Sequence, residues 1–208
     1  MDGLRDNPML TVEQAPMVTS IASARLRLRT PRIDDLRDYM AYRNDASSLI
    51  AQAMDAIDED GARDFLVDQS RLDDDAYGWR MFAVERLDRP GMIGEVGVFT
   101  SEDDPRQGDL GWWLHADHRG RGYASEAVAA LVEWCFVECD FHRVTASCLS
   151  TNIASRNTMR RIGMRLERRS IESRLSGGYW HDEAGYALLR REWEVRPMPR
   201  ITPEDDGF

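Results

Sequence analysis

Arg119-Gly120-Arg121-Gly122-Tyr123-Ala124 follows an aromatic, strand-like run, Asp109-Leu-Gly-Trp-Trp-Leu114, and leads straight into an apolar helical run from Ala124 to about Cys139. A glycine-bearing turn from strand to helix leaves several backbone N–H groups unpaired and pointing one way, at the positive end of the helix dipole. Such a turn is an anion cradle. The small residues at 120, 122 and 124 let a ligand approach the main chain closely. Two other anion loops are excluded by spacing: Gly120-x-Gly122 runs into Ser125 where a dinucleotide fingerprint needs a third glycine, and no Gly-Lys-Ser/Thr is present.

Working outward, Ala24 to Arg29 alternates Leu26 and Leu28 with arginines, the period of a half-buried strand. Thr30-Pro31 followed by Asp34 and Asp35 reads as a helix start, with Leu36, Tyr39 and Met40 as its apolar stripe. A second helix is expected from about Asp58 to Ser70. Trp79–Glu85 and Met92–Thr100 flank a turn at Asp88-Arg-Pro-Gly91 and read as a hairpin. The acidic stretch 101–108, with Pro105 and Gly108, reads as a loop. On the helix after the cradle, Glu126, Glu133 and Glu138 are the expected solvent residues. A strand at Arg143–Leu149, a helix at Asn152–Ile162 stopped by Gly163, and a hairpin over Arg165–Arg174 and Tyr179–Arg191 complete the order βααβββαβαββ. The expected class is α+β: a mixed, mostly antiparallel sheet flanked by helices, with a splayed strand pair at a cleft.

The chain has 208 residues, 42% of them hydrophobic, a formal net charge of -10 and three cysteines. That length suits one domain over 21–195, with flexible tails at 1–20 and 196–208, where five of the eight prolines lie. The negative charge argues against nucleic acid as the main partner despite seven arginines between Arg156 and Arg174, and it fits a cationic acceptor as well as a merely soluble surface. Cys135, Cys139 and Cys148 lack metal-ligand companions and read as buried thiols in a reducing compartment, with no metal site. No secretory segment or membrane span is visible, so a cytoplasmic protein is expected.

The pattern Arg, two residues, Gly, one residue, Ala between a strand and a helix resembles the acyl-coenzyme-A pyrophosphate loop of the GNAT N-acetyltransferases. The likeness extends to Arg25-Leu-Arg-Leu-Arg29, Asp109-Leu-Gly-Trp-Trp-Leu-His115, Asp117 to Glu126, Asn152-x-x-Ser155, Ile162-Gly-Met164, Trp180-x-Asp182, Tyr186-Ala-Leu-Leu and Glu192-Trp193. Over roughly residues 24–193 the chain looks like the RimJ/RimL-like branch, the ribosomal-protein N-terminal acetyltransferases. The resemblance implies a GNAT fold and acetyl-CoA as co-substrate. The implied acceptor is a primary amine, on a protein N-terminus or a small molecule. A homodimer is compatible with it. Implied cofactor contacts are the backbone from Arg119 through Gly120, Arg121, Gly122, Tyr123 and Ala124, the edges of Leu114 and His115, and Asn152, Ser155, Arg156 and Arg160. Ser155 would protonate the departing sulfur.

Three acids compete as general base: Asp109, Glu95 and Glu172, with Asp109 favoured. The branch commonly places a glutamate on the closing hairpin, where this chain aligns Arg174, with Glu172 two residues earlier. Two alternatives stay open: a non-catalytic acyl-CoA-binding module that kept the fold, and a transferase using another donor such as succinyl-CoA.

Overall fold

The computed structural model describes residues 20–73 and 76–195. The proposed tails, apart from Ser20, lie outside the described residues. Eight strands form a single sheet in the order β1-β2-β3-β4-β5-β6-β8-β7. They are β1 (Ser20–Ala22), β2 (Leu26–Arg29), β3 (Gly78–Arg86), β4 (Arg89–Ser101), β5 (Asp104–Leu114), β6 (Arg143–Leu149), β7 (Arg165–Ser176) and β8 (Tyr179–Leu189). All pairings are antiparallel except β5 with β6. The helices are α1 (Leu36–Arg43), α2 (Ala46–Gln52), α3 (Glu59–Ser70), α4 (Tyr123–Val137), α5 (Ile153–Arg161) and α6 (Arg190–Glu194). This is the expected α+β layout, with β1, α2 and α6 added.

The parallel pair fixes the site. β5 and β6 are in register only at Gln107–Arg143, Gly108–Val144 and Asp109–Thr145. Beyond Asp109 the ladder stops, and the turn that begins α4 follows the unpaired end of β5. On one face, α4 and α5 pack over Phe82, Val84, Val96, Val98, Leu110 and Val144, and Leu131, Val128, Cys135 and Phe136 of α4 are completely buried. On the other, α1 and α3 cover Ala83, Met92 and Trp113 with Tyr39, Tyr42, Ala62 and Leu66. That second face carries three cross-strand rows: Trp79–Phe99–Asp109, Met81–Gly97–Gly111 and Ala83–Glu95–Trp113.

The acidic stretch expected as a loop is strand: β4 continues to Ser101, which pairs Asp104 across a tight turn. Pairing overrides the weak strand propensity here. Gly108 has a packing role, since a Cβ there would come within 2.5 Å of Val98 and 2.7 Å of Phe141. The first helix starts later than Thr30-Pro31 suggests. A 3-10 turn at Ile33–Asp35 precedes α1, and Asp35 caps it by accepting from the Arg32 N–H at 2.8 Å. Glu126, expected in solvent, instead accepts from Ser23 Oγ, the Arg25 N–H and Arg25 Nε, tying α4 to the chain entering β2. Cys135 and Cys148 are buried; Cys139 is only partly so, and burial still pushes its thiol up to about 12.

Asp35 also receives both terminal nitrogens of the buried Arg29, at 2.8 and 2.7 Å. Removing one partner of a buried pair leaves an uncompensated charge. Asp35→Ala is therefore expected to lower stability by about 3–5 kcal/mol, read as a fall in the urea midpoint with an unchanged slope. A shift no larger than a surface mutant's would show that Arg29 finds another partner.

Candidate active site

Gly120 and Gly122 both adopt left-handed backbone, with φ of 73° and 80°. Gly122 is the N-cap of α4. The first bond of the helix is donated by the Glu126 N–H to Gly122 O at 3.0 Å. The N–H groups of Tyr123, Ala124 and Ser125 have no carbonyl one turn back to receive them. A Cβ built on Gly120 meets nothing within 4 Å, and one on Gly122 meets only Arg25 Nη2 at 3.4 Å. The turn therefore has donors at its helix end and space in front of both glycines, which suits a diphosphate.

From this turn a cleft of about 240 Å³ runs between the free edge of β5 and the start of α5, lined by Trp112, Leu114, Gly120, Gly122, Ala124, Asn152 and Ser155 among others. Along β5, alternate residues offer their backbone to the cleft. The His115 N–H is bonded to Ile93 O at 2.9 Å on the β4 side, whereas the carbonyls of Leu114 and Trp112 receive Arg119 Nε and Gln52 Nε2, both at 3.0 Å. Of the two strand-edge residues expected, Leu114 faces the cleft and His115 does not. Trp112 takes the second place, by the two-residue period of a strand.

α2 closes one side of the cleft and draws two expected ligands to itself. Arg119 donates to Ser47 Oγ at 3.0 Å and to Ser48 Oγ, and lies 3.4 Å from Asp45. Asn152 donates through Nδ2 to Ala51 O at 3.0 Å, while its Oδ1 accepts the Ser155 N–H and caps α5. Ser155 is buried in the cleft wall. Arg121 is turned to the far side of the loop, into a separate cavity of about 380 Å³ with Arg86, Arg89, His115 and His118. Burial, then His115, Arg86 and Arg121, keep the His118 imidazole below its ordinary pKa. The smaller cleft is the one that holds the β5 edge at Trp112 and Leu114 together with both glycines, which suits an extended carrier. Arg156 is buried beside β6 and donates to Ser150 O at 3.1 Å. Neither it nor Arg160 lines the cleft.

The three acids sit in different surroundings. Glu172 has φ of 47°, lies exposed in a bulge of β7 past the last β6–β8 pair, and is remote in register from β5. The neighbouring Arg174 faces Glu183 at 3.8 Å. Asp109 stands at the apex of the divergence and accepts from Thr145 Oγ1 at 2.8 Å. Burial raises its pKa, with the Thr145 bond and Arg168 opposing.

Glu95 lies under α1 beside Trp113, and Arg43 stacks over that indole at 4.2 Å. Burial pushes the Glu95 carboxyl up to about 7, with Arg43 and Tyr42 pulling the other way. Its Oε2, the Tyr42 hydroxyl and Trp113 Nε1 are all buried without a hydrogen-bond partner among the described residues. A carboxyl raised from 4.5 to about 7 holds its proton in the folded chain after the unfolded chain has lost it. Its contribution is complete below pH 4.5 and is lost as pH climbs through 7, to the extent of about 3 kcal/mol. Glu95→Gln is expected to remove this fall, so that the variant gains on the parent in thermal midpoint between pH 5 and 8. Parallel curves for the two proteins would refute the shift.

The chain belongs to the GNAT acetyltransferase family: residues 25–165 match the acetyltransferase (GNAT) domain. It is 31% identical over 173 residues to the uncharacterized N-acetyltransferase YnaD of Bacillus subtilis, covering 83% of this chain and 98% of that one. Among solved structures, a GNAT-family acetyltransferase from Bacillus anthracis superimposes with a TM-score of 0.74 at 26% identity, over 83% of this chain and 99% of the other. A RimL ribosomal L7/L12 alpha-N-protein acetyltransferase, solved in complex with coenzyme A, shares the fold with a TM-score of 0.72 at 20% identity, over 82% and 97%. The protein is an acyltransferase enzyme with the GNAT fold. Among the described residues no helix is long and apolar enough to cross a membrane.

Proposed function

We propose that the protein transfers an acetyl group from acetyl-CoA to a primary amine, as the RimJ/RimL-like branch does. The observation that carries this reading is the junction, on one cleft, of the two left-handed glycines, the first-turn N–H groups of α4 and an edge of β5 that no other strand covers beyond Asp109 among the described residues. The diphosphate would be held by the N–H groups from Gly120 to Ser125, and the amide-rich arm would add to β5 at Trp112 and Leu114 as an extra strand. There it exchanges with the bonds from Gln52 and Arg119. Arg119 and Asn152 act through α2 in this reading, and Arg121, Arg156 and Arg160 are left out of the cofactor set.

The thioester supplies the acyl group: the amine nitrogen bonds to its carbon as the carbon–sulfur bond breaks. Asp109 takes the proton that the amine gives up, because it opens on the uncovered sheet face at the strand divergence. Ser155, on the α5 wall, gives its hydroxyl proton to the departing sulfur. An α-amine of pKa about 7.7–8.0 is partly neutral near pH 7.4, so a carboxylate of modestly raised pKa suffices for it; a lysine at about 10.4 would need far more help. A protein N-terminus or a small α-amine is thus the favoured acceptor.

Steady, acceptor-dependent release of free thiol from acetyl-CoA across a panel of amines tests the reading. Well-folded protein that binds acetyl-CoA yet turns over no amine would leave the non-catalytic module standing. Turnover with succinyl-CoA alone would replace the donor.

A further inference from the structure

Two glycines, Gly97 and Gly111, face each other across β4 and β5 in the middle of the three rows. With no side chain of their own they let Met81 and Trp79 come down onto the sheet; a Cβ on Gly111 would stand 3.0 Å from the Trp79 ring. The indole therefore sits over the middle of β5. Asp109 is two residues away on one side and Trp113 two residues away on the other, both with side chains on the same face. Trp79 is 42% exposed and Phe99, in the same row as Asp109, is 40% exposed. Their rings are 5.7 Å apart and tilted by 59°. Gln69 of α3 fixes the strand beneath by bonding Trp79 O at 2.9 Å and the Met81 N–H at 2.7 Å. Ser147 and Arg168, both exposed, lie on the strands beyond Asp109.

We propose that this aromatic pair is the acceptor-binding wall, and that the enzyme selects α-amines whose neighbouring side chain is aromatic or bulky and apolar. The inference rests on the amine-acetylating reading above. Trp79 lies over Gly111, the β5 residue next to Trp112 at the cleft edge, on the face that carries Asp109. The apolar group beside the neutral amine covers Trp79 and Phe99, an exposed aromatic surface next to an acid. Asp109, at the end of the same wall, takes the proton that the amine gives up as its nitrogen bonds to the thioester carbon.

The test compares phenylalaninamide with glycinamide, two small α-amines that differ in side chain, at saturating acetyl-CoA. The wild-type enzyme is expected to prefer phenylalaninamide by at least about tenfold in kcat/KM. Trp79→Ala brings that ratio close to one by raising KM for phenylalaninamide while kcat stays unchanged, Trp79→Phe retains the preference, and acetyl-CoA affinity is the same in all three. A ratio unaltered by Trp79→Ala, or a loss carried wholly by kcat, overturns the assignment. So does wild-type protein that binds acetyl-CoA and acetylates other amines but neither amide. Protein that binds no acetyl-CoA instead overturns the reading of function on which the inference rests.

Discussion

Replacing Gly122 with valine lowers acetyl-CoA affinity by at least a hundredfold while the protein still unfolds cooperatively. The two consequences come from different distances. A Cβ at position 122 meets only Arg25 Nη2 at 3.4 Å, an ordinary contact, so the protein itself has room for it. The strain is that of a non-glycine residue at φ of 80°, roughly 1–2 kcal/mol. That is a modest share of a domain stability of about 5–15 kcal/mol. The added methyl groups occupy the space before the first N–H groups of α4, where the diphosphate is to sit. Each charge-assisted bond lost there is worth about 1.5–3 kcal/mol, so losing two accounts for a hundredfold or more. Calorimetric titration reads the affinity and a thermal scan reads the fold. Unchanged affinity would put the carrier somewhere else on the molecule.

Asp109→Asn is expected to lower kcat at pH 7 by about a hundredfold or more, in the range of positioned acid–base groups. The amide keeps the shape and a bond with Thr145, so acetyl-CoA affinity and thermal midpoint should move little. The defect should shrink as pH rises through the pKa of the acceptor amine, since solvent then supplies the neutral nucleophile. Glu95→Gln is the control. Glu95 has the pKa better matched to neutral pH, yet it is sealed beneath α1 behind Trp113, so its removal should alter the pH dependence of stability more than the rate. A full-rate Asp109→Asn beside a crippled Glu95→Gln would transfer the role to Glu95.

Where a local pattern and the final structure answer to the same force, the sequence was readable. The glycine turn, the apolar face of α4, the helix expected from Asn152 and its Gly163 stop are short-range features, and each stands where its residue types require. The splayed strand pair expected at the cleft is where the β5–β6 ladder ends after Asp109. What escaped depends on long-range partners. α2 has a weak pattern, Ala-Ser-Ser-Leu-Ile-Ala-Gln, and is held by the Asp45 cap and by bonds to Trp112, Arg119 and Asn152, none of them near in sequence.

The stretch 101–108 looked like a loop because Pro105, Gly108 and the acids disfavour strand, and only its pairing with β4 reveals it as the start of β5. Leu114 and His115 are neighbours on one strand, and a strand turns only every second residue toward the cleft, so the two cannot both pair with an added strand. Trp112 was two residues from Leu114 and could have been found by that period alone. The arginines were the least legible. Arg119, Arg121 and Arg156 are alike in sequence, yet one reaches to α2, one lines the opposite cavity and one is buried against Ser150.

The most direct measurement is a backbone amide NMR titration of the protein with acetyl-CoA. Large, saturable shifts confined to the amides of Gly120 to Ser125 and to Trp112 and Leu114, with little change at His115, are predicted. Saturation with those amides unmoved, and shifts clustered around Arg86, Arg89 and His118 instead, would contradict the account.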